Sequence, residues 1–76
     1  METYKNLSGN SGVGHYKIGA DYIDVKFKDK PTIYIYSNLR NGKHHIDRMK
    51  VLAINGKGLC SYITQNPSVK NNYNKR

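Results

Sequence analysis

The stretch from Tyr22 to Tyr36 constrains the fold more than any other part of the chain. Residues Tyr22–Lys28 alternate, with Ile23, Val25 and Phe27 on one side and Tyr22, Asp24, Lys26 and Lys28 on the other, the pattern of a half-buried strand. Lys28-Asp29-Lys30-Pro31 interrupts it, because Pro31 fixes its own φ and has no N–H to give a ladder. From Thr32 the alternation resumes, setting Ile33 and Ile35 against Tyr34 and Tyr36, all residue types that favour the pleat. A hairpin is the expected result. Its expected core face is Ile18, Ile23, Val25, Phe27, Ile33 and Ile35; its expected open face carries tyrosines and lysines.

Around this hairpin the pattern predicts a small set of further elements. Val13–Ile18 alternates weakly and stops at Gly19-Ala20-Asp21, which predicts a first strand and a turn. After a polar connection over Asn38–Lys43, apolar residues fall at Ile46, Met49, Leu52 and Ala53, spacings of three and four that predict a helix from about His44 to Ile54. Asn55-Gly56 supplies its stop, a left-handed residue that satisfies the last carbonyls. Leu59–Gln65 predicts a short second helical piece, closed by Asn66-Pro67, since the residue before proline disfavours the helical region. The expected architecture is α+β: a three-stranded antiparallel sheet with one clear and one short helix packed on one face. Residues 1–12, with Ser8-Gly9-Asn10-Ser11-Gly12, predict a flexible N-terminal arm; 13–69 form the single domain; and 70–76 form a loose basic tail.

Size and charge narrow the function. Seventy-six residues hold one core and no second, and a single cysteine, Cys60, excludes an internal disulfide. A composition of 37% hydrophobic and 24% charged residues is too apolar for a disordered chain, and no apolar run approaches the ~20 residues of a membrane span. Thirteen Lys and Arg against five Asp and Glu give a net charge of +8, so an anionic partner is expected. A free thiol without a secretory segment near the start fits a cytoplasmic setting and no membrane.

The order of elements and two motifs resemble the KTSC domain, a module named after the C-terminal extension of some lysyl-tRNA synthetases and also found free-standing. The resemblance covers most of Gly12–Tyr73. It rests on Tyr34-Ile35-Tyr36, like the family's aromatic-x-aromatic centre, preceded by a strand ending Val25-Lys26-Phe27-Lys28, and on Gly56-Lys57 followed by Ile63, like its Gly-Lys after the helix. The chain departs from the family at the helix entry, where Asn38-Leu39 stands for Val-Pro. It departs again at Gly58-Leu59-Cys60, in place of an aromatic pair with Asn, and at Thr64, in place of a basic residue. The resemblance implies a small α+β fold and a role in RNA binding, and supplies no catalytic residue.

The residues themselves point the same way. Lysines interleaved with aromatics can track phosphates and stack bases together, so Tyr22, Lys26, Lys28, Tyr34, Tyr36, Lys57 and Lys70 are the candidate nucleic-acid-binding set, with RNA or another single strand as ligand. The same tyrosine face would equally serve a protein-protein interaction module, such as a phage or mobile-element host-factor inhibitor, or a weak homodimer in place of a monomer. Tyrosine is also simply a good strand residue, and lysines keep a surface soluble. His44-His45 diverge by about 100° on a helix and, with His15 and Cys60, show no metal-ligand spacing. Cys60 with a nearby histidine is the one nucleophile that can be drawn, but it sits beside Leu59 as a small apolar residue would. Dispersed carboxylates and the absence of a phosphate-loop lysine complete the expectation of a non-enzymatic protein without metal or cofactor.

Overall fold

The computed structural model describes residues 1–9 and 11–76. Asn10, part of the predicted flexible arm, lies outside the described residues. The order is β1 (Glu2–Thr3), β2 (Val13–Ile18), β3 (Tyr22–Phe27), β4 (Ile33–Ser37), α1 (Asn38–Asn41), α2 (Lys43–Asn55), α3 (Leu59–Gln65), α4 (Pro67–Lys70) and β5 (Asn74–Lys75). The strands form one antiparallel sheet in the order β1-β2-β3-β4-β5, a meander whose last strand returns to β4 after all four helices. The fold is α+β as expected, but the sheet has five strands rather than three and the helices number four among the described residues.

The three predicted strands and two predicted helices lie where periodicity puts them. The α2 helix buries Ile46, Met49 and Ala53 on one stripe and ends at Gly56, whose φ of 74° is left-handed and whose N–H donates to the carbonyls of Leu52 and Ala53. A side chain at Gly56 would be strained by that φ and would also strike Lys5. Pro67 closes α3 from outside and opens α4 at its first turn, where a missing N–H costs nothing.

Both chain ends correct the expectation. The predicted arm carries β1, which pairs Glu2 with Tyr16 and Thr3 with His15, and then buries Tyr4 in the core. The Tyr4 hydroxyl accepts a hydrogen bond from the Leu59 N–H at 3.3 Å, covering a free donor at the start of α3. At the other end, β5 pairs with β4, and Arg76 exchanges two backbone hydrogen bonds with Ile33.

The larger correction concerns β4. Antiparallel register places Tyr36 opposite Ile23 and Tyr34 opposite Val25, and directly opposed residues share a face. Tyr36 is therefore a core residue, 2% exposed, and Tyr34 packs against the core, while Ile33 and Ile35 turn to the uncovered side. In the same way Tyr16 and Ile18 of β2 face inward, whereas His15 and Lys17 sit opposite Lys26 and Asp24 on the uncovered side. A register shift between Val13 and His15 makes Gly14 the extra residue and lets both Val13 and Tyr16 point into the core.

Candidate nucleic-acid interface

The aromatic residues of the covered face do not vanish into the core. Tyr34 and Tyr36 meet Tyr73, which precedes β5, and Phe27 joins the cluster through Tyr34. The Tyr34 and Tyr73 rings lie 4.7 Å apart at a tilt, Tyr36 meets Tyr73 edge-on at 6.1 Å, and Phe27 meets Tyr34 edge-on at 5.4 Å. The rings line a cleft of ≈ 270 Å³ closed on its other side by Ile63 and Thr64 of α3 and by Lys70 and Asn71, with Lys30 of the hairpin loop at its mouth. The Lys75 ammonium stands 5.9 Å from the centre of the Tyr73 ring. Burial, with the neighbouring hydroxyls of Tyr73 and Tyr34, pushes the Tyr36 phenol above its ordinary range, so it stays a neutral hydroxyl even in alkali that ionises an exposed tyrosine.

A polar clip sets Tyr73 in place. The half-buried chain after α4 passes beside α1, where Asn41, one of two buried polar residues, donates its Nδ2 to the carbonyls of Ser68 and Asn72 at 3.3 and 3.0 Å and accepts the Ser37 N–H at 3.1 Å. Asn72 returns the contact, donating to the Arg40 carbonyl at 2.8 Å and accepting from the Arg40 guanidinium at 3.2 Å. Four hydrogen bonds thus fix the segment on the N-terminal side of Tyr73, a fifth holds the Asn41 side chain to β4, and β5 fixes the chain on the other side.

The structure divides the predicted set. Tyr34, Tyr36 and Lys70 line the cleft together. Lys26 projects on the opposite, uncovered face beside His15 and Ile33. Tyr22 begins β3 on that face too, and its ring lies over Gly19, where any Cβ would collide with it. Lys28 is exposed just past β3, and Lys57 is exposed in the turn between α2 and α3. Tyr34 and Tyr36 therefore do not form an open sheet face: Tyr36 is buried beneath the helices and Tyr34 is half-buried at the cleft. Phe27, Lys30 and Tyr73 were not in the predicted set; the parity that placed Phe27 inward would have paired it with Tyr34 had the register of β4 been known.

Elsewhere, His44 and His45 stack with ring centres 4.1 Å apart, and His45 Nδ1 shares a 2.6 Å hydrogen bond with the Tyr62 hydroxyl. Cys60 is a free thiol, half-buried. Among the described residues no group of three or more His, Cys, Asp or Glu side chains could hold a metal ion, and no helix is long and apolar enough to cross a membrane.

Fold and cleft together define a small α+β domain with one helix-covered sheet face that opens into an aromatic cleft and one uncovered basic face. No family model, no curated protein and no solved structure matches the chain.

Proposed function

We propose that this chain is a small, non-enzymatic, KTSC-like module of the cytoplasm that binds single-stranded nucleic acid, RNA foremost, with low sequence specificity. The observation that carries the reading is the cleft itself: four aromatic rings brought together between cationic side chains, in a chain of net charge +8. A base entering the mouth stacks on the accessible parts of Tyr34 and Tyr73, a contact worth about 1–3 kcal/mol per base. Lys30, Lys70 and Lys75 stand where flanking phosphates would pass. If each neutralises one phosphate, affinity falls with a log–log salt slope of about −2, at about −0.7 per contact. Phosphate and ring contacts of this kind read no base edge, which is why specificity is low.

The test is fluorescence anisotropy with a labelled single-stranded RNA of about 20 nucleotides, longer than the site of one small domain, at several salt concentrations. Lys30→Glu with Lys70→Glu should weaken binding tenfold or more and flatten the salt slope, with circular dichroism unchanged. Binding that is absent at low salt, or indifferent to both charge reversals, would rule the reading out.

A further inference from the structure

The second face of the sheet carries a different set of side chains. No helix covers it. Its centre is the half-buried pair Ile33 and Ile35, and around them the outward-facing ionisable groups of the neighbouring strands are His15, Lys17, Tyr22 and Lys26, with Arg76 at the end of β5. The lone acid of this face, Asp24, is 2% exposed; one of its oxygens lies 3.8 Å from the Arg76 guanidinium, and the other, Oδ1, is buried without a hydrogen-bond partner. An orphaned carboxylate oxygen in a native fold costs free energy unless a donor reaches it. Solvent therefore meets the outer edges of a half-buried apolar pair framed by cations, over a buried carboxylate oxygen that no described residue satisfies.

We infer that this uncovered face docks an acidic protein segment, one that lays apolar side chains on Ile33 and Ile35 and gives carboxylates to Lys17, Lys26 and Arg76. Charge complementarity selects the partner. A second copy of the chain would bring the same cations face to face and is repelled. A nucleic-acid strand would find phosphate contacts but little stacking surface: of the two rings on this side, Tyr22 is laid over Gly19 and His15 is a lone exposed imidazole. Isoleucines reward an apolar side chain instead. The segment meets the face of the sheet rather than an edge, since the outer strands β1 and β5 are only two residues long and offer little ladder for strand addition.

The inference is independent of the cleft and is tested with its own probe: a labelled synthetic peptide of glutamates punctuated by leucines, beside a control with serine in place of each leucine, and the single-stranded RNA as third ligand. The leucine peptide should bind saturably, at least tenfold tighter than the serine peptide. Lys17→Glu with Lys26→Glu should weaken it tenfold or more and Ile35→Thr several-fold, while RNA affinity changes less than twofold. Amide shifts in an NMR titration of the unaltered protein should centre on Lys26, Ile33 and Ile35, which keeps the test valid should a variant unfold. Equal affinity for the two peptides, no binding, or shifts that spare these residues would overturn the assignment. Loss of RNA binding in the Lys17/Lys26 variant would also overturn it, by giving the face to nucleic acid.

Discussion

The two faces of the sheet share the strands of the β3–β4 hairpin, Tyr22–Ser37, yet they answer to different physics. On the covered face, Ile23, Val25, Tyr34 and Tyr36 meet the helices, and side chains there are held by packing. On the uncovered face, Lys17, Lys26, Ile33 and Ile35 meet solvent, and side chains there are constrained mainly by strand register. The rings stand on the covered side because the register against β3 puts Tyr34 opposite Val25 and Tyr36 opposite Ile23, which leaves Ile33 and Ile35 on the other side. Aromatic content thus marks the packed face here, and charge marks the free one.

Four perturbations, from strongest to weakest, would break or sharpen this contrast. Tyr36→Ala removes a ring from the core and should cost about 3–5 kcal/mol, as large aromatic truncations do. In a domain this small that abolishes a cooperative urea transition or moves its midpoint close to zero; a variant with near-native stability would place Tyr36 outside the core. Asn41→Ala leaves backbone groups of Ser37, Ser68 and Asn72 unpaired and should cost about 1–3 kcal/mol. It should also loosen Tyr73, seen as faster amide exchange over residues 70–76 than over β3.

A weaker effect comes with alkaline pH. The Tyr36 phenol titrates higher in the folded chain than in the unfolded one, chiefly through burial. Its contribution is fully present below the ordinary tyrosine value of about 10 and is lost as pH rises beyond it, because only the unfolded chain then gains by ionising. Stability measured by denaturant unfolding should fall as pH rises above about 10 and fall less in Tyr36→Phe. The smallest effect belongs to the uncovered face. Lys26→Glu should change stability by under about 0.5 kcal/mol, as surface substitutions do, and a much larger loss would show that this face is structurally committed after all.

Much of the frame is legible in the sequence, and the reasons for the failures are specific. The alternation of Tyr22–Phe27 contrasts apolar with charged residues, so its inward side reads directly. The alternation of Ile33–Tyr36 contrasts isoleucine with tyrosine, two residues of similar strand preference, so periodicity gives the strand but not its orientation. Only the register against β3 decides it, and that depends on the Lys28–Thr32 connection. The α2 helix carries apolar spacing and a glycine stop, whereas β1 and β5 are too short to have a period. Ser37 is an N-cap for α1, its Oγ accepting the Arg40 N–H at 3.3 Å, a signal masked by its place at the end of a strand. Tyr73 and the Asn41–Asn72 clip lie in polar surroundings, and no spacing rule joins residues more than thirty apart. Of the seven predicted site residues, the three that converge on the cleft, Tyr34, Tyr36 and Lys70, do so through contacts that only the tertiary structure supplies.

The central claim, that single-stranded nucleic acid enters the aromatic cleft, is tested most directly by following the tyrosine ring signals in an NMR titration with unlabelled RNA at low salt. The cleft account predicts that the rings of Tyr34, Tyr36 and Tyr73 shift saturably and together, while Tyr22 on the uncovered face stays in place. Shifts at Tyr22 with the cleft rings unmoved would contradict it.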